Sequence, residues 1–106
     1  MKLKLLVIRC RNIEISKEFY SVLGIDFKKE KHDVGPTHYS AEFNDVVFEL
    51  YPANSGEIDK TRLGLEVPGL SKLTGALNIL EEYEYNSTKV KVIVDPDGRK
   101  IELYES

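Results

Sequence analysis

An α+β chain built from two βαβββ units is the fold class that these 106 residues predict. Three observations carry that expectation. A helical stretch follows directly on the first extended run. The second half of the chain repeats the element order of the first. The turn Asp95-Pro96-Asp97-Gly98 folds the C-terminal end into a hairpin.

The elements follow from local residue choice. Residues 3–10, Leu-Lys-Leu-Leu-Val-Ile-Arg-Cys, are apolar and short enough for a mostly buried strand. Alternation places Leu3, Leu5, Val7 and Arg9 on one face. Asn12 is suited to cap a helix, and Glu14 meets the positive end of its dipole. Ile15, Phe19, Val22 and Leu23 recur at helical spacing, and Gly24 is suited to end the helix. Residues 27–33 are charged and alternating, which suits a sheet edge. Gly35-Pro36 signals a turn. Residues 37–43 carry Tyr39, Ala41 and Phe43 at period two. Asn44-Asp45 marks a tight turn before the strand expected over 46–51.

The first unit spans 1–52, and polar residues 53–60 read as a linker to a second unit over 61–106. There, Leu63, Leu65 and Val67 alternate, and Pro68-Gly69 turns the chain. Leu70, Leu73, Leu77 and Leu80 predict an amphipathic helix ending near Tyr83, despite Gly75 inside it. Residues 84–86 suit a short strand and 89–94 a clear one. The Asp95–Gly98 turn then leads into a last strand over 101–104.

Composition excludes several function classes. Fifteen Lys and Arg stand against 18 Asp and Glu, a net charge of −3 without any basic run. Nucleic acid needs a concentrated positive footprint, so it is not an expected partner. No apolar stretch approaches the ~20 residues of a membrane span. Leu5-Leu6-Val7-Ile8 is too short for a signal peptide. The single cysteine, Cys10, has no partner for an internal disulfide. A cytoplasmic protein without membrane or nucleic-acid partners is expected.

Several local patterns, in this order, resemble the vicinal oxygen chelate superfamily, which includes glyoxalases, bleomycin-resistance proteins and extradiol dioxygenases. They are Asn12, Ser16, Phe19-Tyr20 and Leu23-Gly24 around the first helix, Val47-Phe48-Glu49-Leu50, and Asp95-Pro96-Asp97-Gly98 followed by Lys100-Ile101-Glu102-Leu103. A ferredoxin-like βαββαβ chain is the alternative. It lacks the extra strand of the first half and the C-terminal hairpin.

The resemblance implies that each unit forms half of a cup-like mixed sheet around a pocket. It also implies four metal-ligand positions, which fall on Leu5, Glu49, Arg62 and Glu102. Glu49 and Glu102 offer carboxylates, and with water they suit a weak hold on magnesium or calcium. Leu5 has no donor atom, and Arg62 is a permanent cation. No catalytic metal is therefore expected, and whether the protein is an enzyme stays open. Arg62 can neutralise Glu49 and Glu102, or it can bind an anionic ligand. Arg9 matches the place where glyoxalases hold a substrate carboxylate, and a salt bridge at the rim is the plainer reading. Tyr51 and Tyr104 share the faces of Glu49 and Glu102, as cavity-lining or simply core aromatics. His32 and His38 flank the Gly35-Pro36 turn. Without a third ligand, surface histidines are the default.

These readings lead to a glyoxalase- or bleomycin-resistance-like binder of a small polar or anionic molecule. The ligand residues would be Arg9, Glu49, Tyr51, Arg62, Glu102 and Tyr104, the metal site degenerate and the state homodimeric. The alternatives are a metal-dependent lyase or isomerase and a non-catalytic interaction subunit with a self-filled cup.

Overall fold

The computed structural model describes all residues, 1–106. The chain divides into two compact units, 1–59 and 60–106. Each contains one four-stranded mixed sheet with a single helical segment, the α+β architecture expected from the element order.

In the first unit, β1 (Leu5–Cys10), β2 (Lys28–Glu30), β3 (His38–Phe43) and β4 (Val46–Pro52) form a sheet in the order β1-β4-β3-β2. β1 pairs parallel with β4, and Val7 lies opposite Glu49 and Arg9 opposite Tyr51. The other two pairings are antiparallel, and Ser40 lies opposite Glu49 and Glu30 opposite His38. Asn44 and Asp45 both adopt positive φ, 52° and 65°, in the tight β3–β4 turn. That pair of angles matches the right-handed twist of the flanking strands. β2 is an edge strand, as its charge pattern suggested, but only three residues of it pair.

The helix α1 (Ile13–Ser21) starts where Asn12 places it. The Asn12 side chain accepts from the Glu14 and Ile15 amides at 3.0 and 3.2 Å, satisfying two orphan donors of the first turn. Gly24, at φ +96°, takes the left-handed conformation beyond its end. The buried stripe of α1 is Ser16, Tyr20 and Leu23, while Ile15 and Val22 are exposed. The helix is thus rotated from the face that its apolar spacing predicts. The Tyr20 ring supplies the reason: it meets Phe48 edge to face at 5.4 Å, and Phe19 packs edge to face on Tyr20. One large aromatic anchor outweighs two small aliphatic contacts, because burial energy scales with apolar area. Ile8, Cys10, Ala41, Phe48 and Leu50 complete this core. Residues 53–59 lie with this unit: the Ala53 amide donates to Cys10 O, and Asp59 accepts from the Arg9 amide at 2.7 Å.

The second unit repeats the plan with β5 (Leu63–Val67), β6 (Glu81–Tyr85), β7 (Thr88–Val94) and β8 (Lys100–Glu105) in the order β5-β8-β7-β6. Leu63, Leu70, Ile93, Ile101 and Leu103 are buried. The long second helix does not form. Helix α2 covers only Leu70–Leu73, a 3-10 turn follows over Thr74–Ala76, and Leu77 is already extended. The Leu80 amide instead donates to Val92 O, so the chain joins the sheet one residue before β6. Gly75 weakens the helix at the point where the switch occurs. Tyr83 and Tyr85 favour the strand that replaces it. β6 therefore spans Glu81–Tyr85, longer than the short strand expected over 84–86. Asn86 and Ser87, at φ 50° and 64°, make the tight turn into β7. Glu105 caps α2 by accepting from the Leu70 and Ser71 amides, and the Ser71 bond holds its carboxyl below the usual range.

Candidate functional site

In the first unit, alternation places Arg9, Glu30, His38, Ser40, Glu49 and Tyr51 on the sheet face opposite α1. The order β1-β4-β3-β2 sets Arg9, Tyr51, His38 and Glu30 in one row across it. The Arg9 guanidinium lies 5.0 Å from the Tyr51 ring centroid, a cation–π contact. The Tyr51 and His38 rings stack at 4.3 Å and 11°. His32, from the turn after β2, brings its ring to 5.3 Å from that of His38.

His38 is buried, 1% exposed, rather than at the surface as its position in a turn-flanking segment suggests. Its Nδ1 lies 3.1 Å from Pro36 O. A carbonyl only accepts, so Nδ1 carries the hydrogen of that bond, and Nε2 turns toward the carboxylates. Glu30 Oε1 lies 3.3 Å and Glu49 Oε2 3.6 Å from Nε2, and His32 Nε2 lies 3.5 Å from the same Glu30 oxygen. The His38 Nε2 atom nonetheless makes no hydrogen bond. The ligand atoms of Glu30, His32 and His38 all lie within 4.8 Å of one another. Glu30 and His32 border an open cleft of about 540 Å³, which Asp26, Ser40, Glu42 and Glu49 also line.

In the second unit the central group is Glu102. It lies opposite Gly64 on β5 and Val92 on β7. Tyr83 donates to Oε1 at 2.7 Å, Arg62 Nη2 donates to the same oxygen, and Tyr104 donates to Oε2 at 3.5 Å. The Tyr83 bond first, and the Arg62 bond next, hold the Glu102 carboxyl below the usual carboxylate range. The same bond pushes the Tyr83 phenol up to about 12. Glu102 also raises Arg62 further above its ordinary value. The Tyr104 ring lies over Gly64, where an added Cβ would meet Tyr104 Cε1 at 3.2 Å. The glycine thus gives the ring its place beside Glu102.

The Arg62 side chain is 60% exposed while its partner Glu102 is 15% exposed. A half-buried carboxylate therefore anchors one edge of a largely exposed guanidinium. That is an arrangement for receiving an anion.

Of the cluster expected from Glu49, Arg62 and Glu102, each unit shows its own part. Arg62 serves Glu102, and Glu49 faces His38. Three residues of these clusters have no site role in the sequence reading: Tyr83, Glu30 and His38. Tyr83 was hidden by the expected helix. Glu30 shares a strand face with the position of His32 two residues on, and that spacing, set against His38 across the turn, is a readable sign that the three groups can meet. His38 was assigned to the surface.

The metal-ligand positions implied by the resemblance do not fit a metal. Leu5 offers no donor, and Glu102 has its oxygens engaged by one cation and two phenols. A divalent ion there would have to displace a guanidinium already in place.

No family model matches the sequence, and no curated protein sequence matches it. Solved structures do. Oxidase ChaP-H1 superposes with a TM-score of 0.78 at 13% identity over 100% of this chain and 96% of its own. The lactoylglutathione lyase from Agrobacterium tumefaciens gives a TM-score of 0.72 at 10% identity, covering 99% and 93%. An integron cassette protein from V. Cholerae gives 0.66 at 20% identity, covering 99% and 94%.

Proposed function

We propose, for a chain that has the glyoxalase-like vicinal oxygen chelate fold along its whole length, that its role is to bind a small anionic organic molecule. Arg62 is the anchor. The observation that carries the reading is the exposed guanidinium fixed from behind by the half-buried Glu102. Tyr83 and Tyr104 set aromatic edges and hydroxyls beside it. A ligand carboxylate would take the remaining donors of Arg62, and an aromatic or aliphatic body would pack on the tyrosines. The mechanism is one of binding. Glu102 holds the guanidinium in a single orientation, so less side-chain freedom is lost when the anion arrives. The misfit of Leu5 and Arg62 to a metal site favours this over a metal-dependent lyase. It aligns the protein with sequestering members of the fold such as drug-resistance proteins.

The test is a thermal-shift titration with benzoate and with uncharged benzamide. The native chain should gain several degrees in Tm with saturating benzoate and little with benzamide, because a ligand of the folded state stabilises it by mass action. Arg62→Ala should fold nearly as well, since its pair is solvent-screened, and lose the benzoate response. An undiminished benzoate response in Arg62→Ala, or none in the native chain, rejects the reading.

A further inference from the structure

We infer that the first unit carries a binding site for a divalent transition-metal ion of the zinc class, formed by Glu30, His32 and His38, with the fourth position left to water or an exchangeable ligand. None of the three stands at a position to which the fold resemblance assigns a role. The site also shares no residue with the Arg62 anion site.

The argument starts from His38. Its Nδ1–H is committed to Pro36 O, which leaves Nε2 as a lone pair. That atom is buried and without a hydrogen-bond partner, although two carboxylate oxygens lie 3.3 and 3.6 Å away. A lone pair and two anionic oxygens facing one another repel unless a proton or a metal cation lies between them, and the absence of a hydrogen bond at Nε2 favours the metal. A buried polar atom without a partner is rare in a native chain and calls for an unseen ion or water.

The spacing selects a metal over a water. With Zn–N and Zn–O bonds of about 2.0–2.1 Å, a tetrahedral site sets neighbouring ligand atoms about 3.3 Å apart. The observed separations are 3.3 Å for His38 to Glu30 and 3.5 Å for His32 to Glu30, and all three ligand atoms lie within 4.8 Å of one another. These are the edges of such a polyhedron, slightly open. Two imidazoles and a carboxylate suit zinc, cobalt, nickel or iron(II) better than the all-oxygen preference of magnesium or calcium. The local structure also orients the ligands. The Pro36 carbonyl fixes the tautomer and ring plane of His38, the usual outer-shell partner of a metal-bound imidazole. Tyr51 stacks on the other side of that ring. The turn closed by the Gly35 amide on His32 O holds His32 over β3. The neighbouring cleft leaves a path for the ion and room for an exchangeable ligand.

The test uses zinc(II) alone. The chain is stripped with chelator, exchanged into chelator-free buffer, and titrated by calorimetry at neutral pH. Cobalt(II) absorption serves as the second readout. One equivalent should bind, with proton release and the visible bands of a four-coordinate nitrogen–oxygen site. His32→Ala is the informative variant. The His32 side chain is 72% exposed, so its loss leaves the fold alone, yet affinity should fall at least tenfold. Glu30→Gln should do the same, and Glu84→Gln on β6 should change nothing. Absent stoichiometric zinc, or zinc binding indifferent to both His32→Ala and Glu30→Gln, would overturn the site. The benzoate response of Arg62 is read separately, so either proposal can fail alone.

Discussion

Arg99→Ala should destabilise the chain by about 3–5 kcal/mol, the loss typical of breaking a buried ion pair from one side. Arg99 is 1% exposed, and Asp95 and Asp97 are 4% and 3% exposed. The guanidinium Nη1 donates to Asp95 at 3.0 Å and to Asp97 at 3.4 Å. The other Asp95 oxygen accepts from the Asp97 and Arg99 amides, both at 2.9 Å, and so shapes the β7–β8 turn itself. Alanine would remove the buried guanidinium that bonds both carboxylates. Urea unfolding followed by circular dichroism reads the effect. Arg99→Met restores volume but not charge, so it should recover little. A loss under about 1 kcal/mol, the range of exposed pairs, would mean that the cluster is solvated and contributes no more than a surface bridge.

Phe48→Ala should cost about 3–5 kcal/mol through the cavity it leaves. Phe48 is 1% exposed at the middle of β4. Its ring meets Tyr20 at 5.4 Å, Phe27 at 6.0 Å and Phe43 at 6.3 Å, so three aromatic contacts are lost with it. Across the sheet it stands between Leu6 and Ala41. The alanine at 41 is what leaves room for the ring, and no neighbour there can expand to refill the space. Phe48→Leu keeps most of the volume and should cost less than about 1.5 kcal/mol. Equal losses for the two variants would show that edge geometry, not volume, dominates this core.

What the sequence made legible follows from which signals act locally. Tight turns are local events. Asn44-Asp45 and the Asp95–Gly98 turn read correctly because positive φ needs a particular residue at a particular place. The β-branched run of β7 and the alternation of β5 read correctly because one buried face imposes period two. The second helix did not, because four leucines at helical spacing cannot report that a neighbouring strand will offer Val92 O to the Leu80 amide. That competition is decided by pairing across the sheet. The orientation of α1 failed for a related reason: the partner of Tyr20 lies on β4, far away in sequence. Strand period does place Tyr51 on the face of Glu49, opposite Arg9, and Tyr104 on the face of Glu102. The turn between His32 and His38 lets them approach, but strand period could not show that His38 would be buried.

The two parallel pairings bear on the order in which the molecule assembles. β3–β4 and β7–β8 are hairpins, joined by short turns. β1 must find β4, and β5 must find β8, across most of their units, as Leu5 does Val47 and Leu63 does Ile101. Closing those loops carries an entropy cost that grows with length and must be met before the new contacts repay it. The hairpins should therefore be formed in the transition state, and β1 and β5 should dock afterwards. Stopped-flow kinetics would then show Ile101→Val slowing refolding, whereas Leu63→Ala mainly speeds unfolding. The reverse pattern would mean that strand docking nucleates the fold. With hairpins first, the unpaired side of β4 and of β8 is the surface that the nascent chain must protect longest, and misassociation during folding would start there.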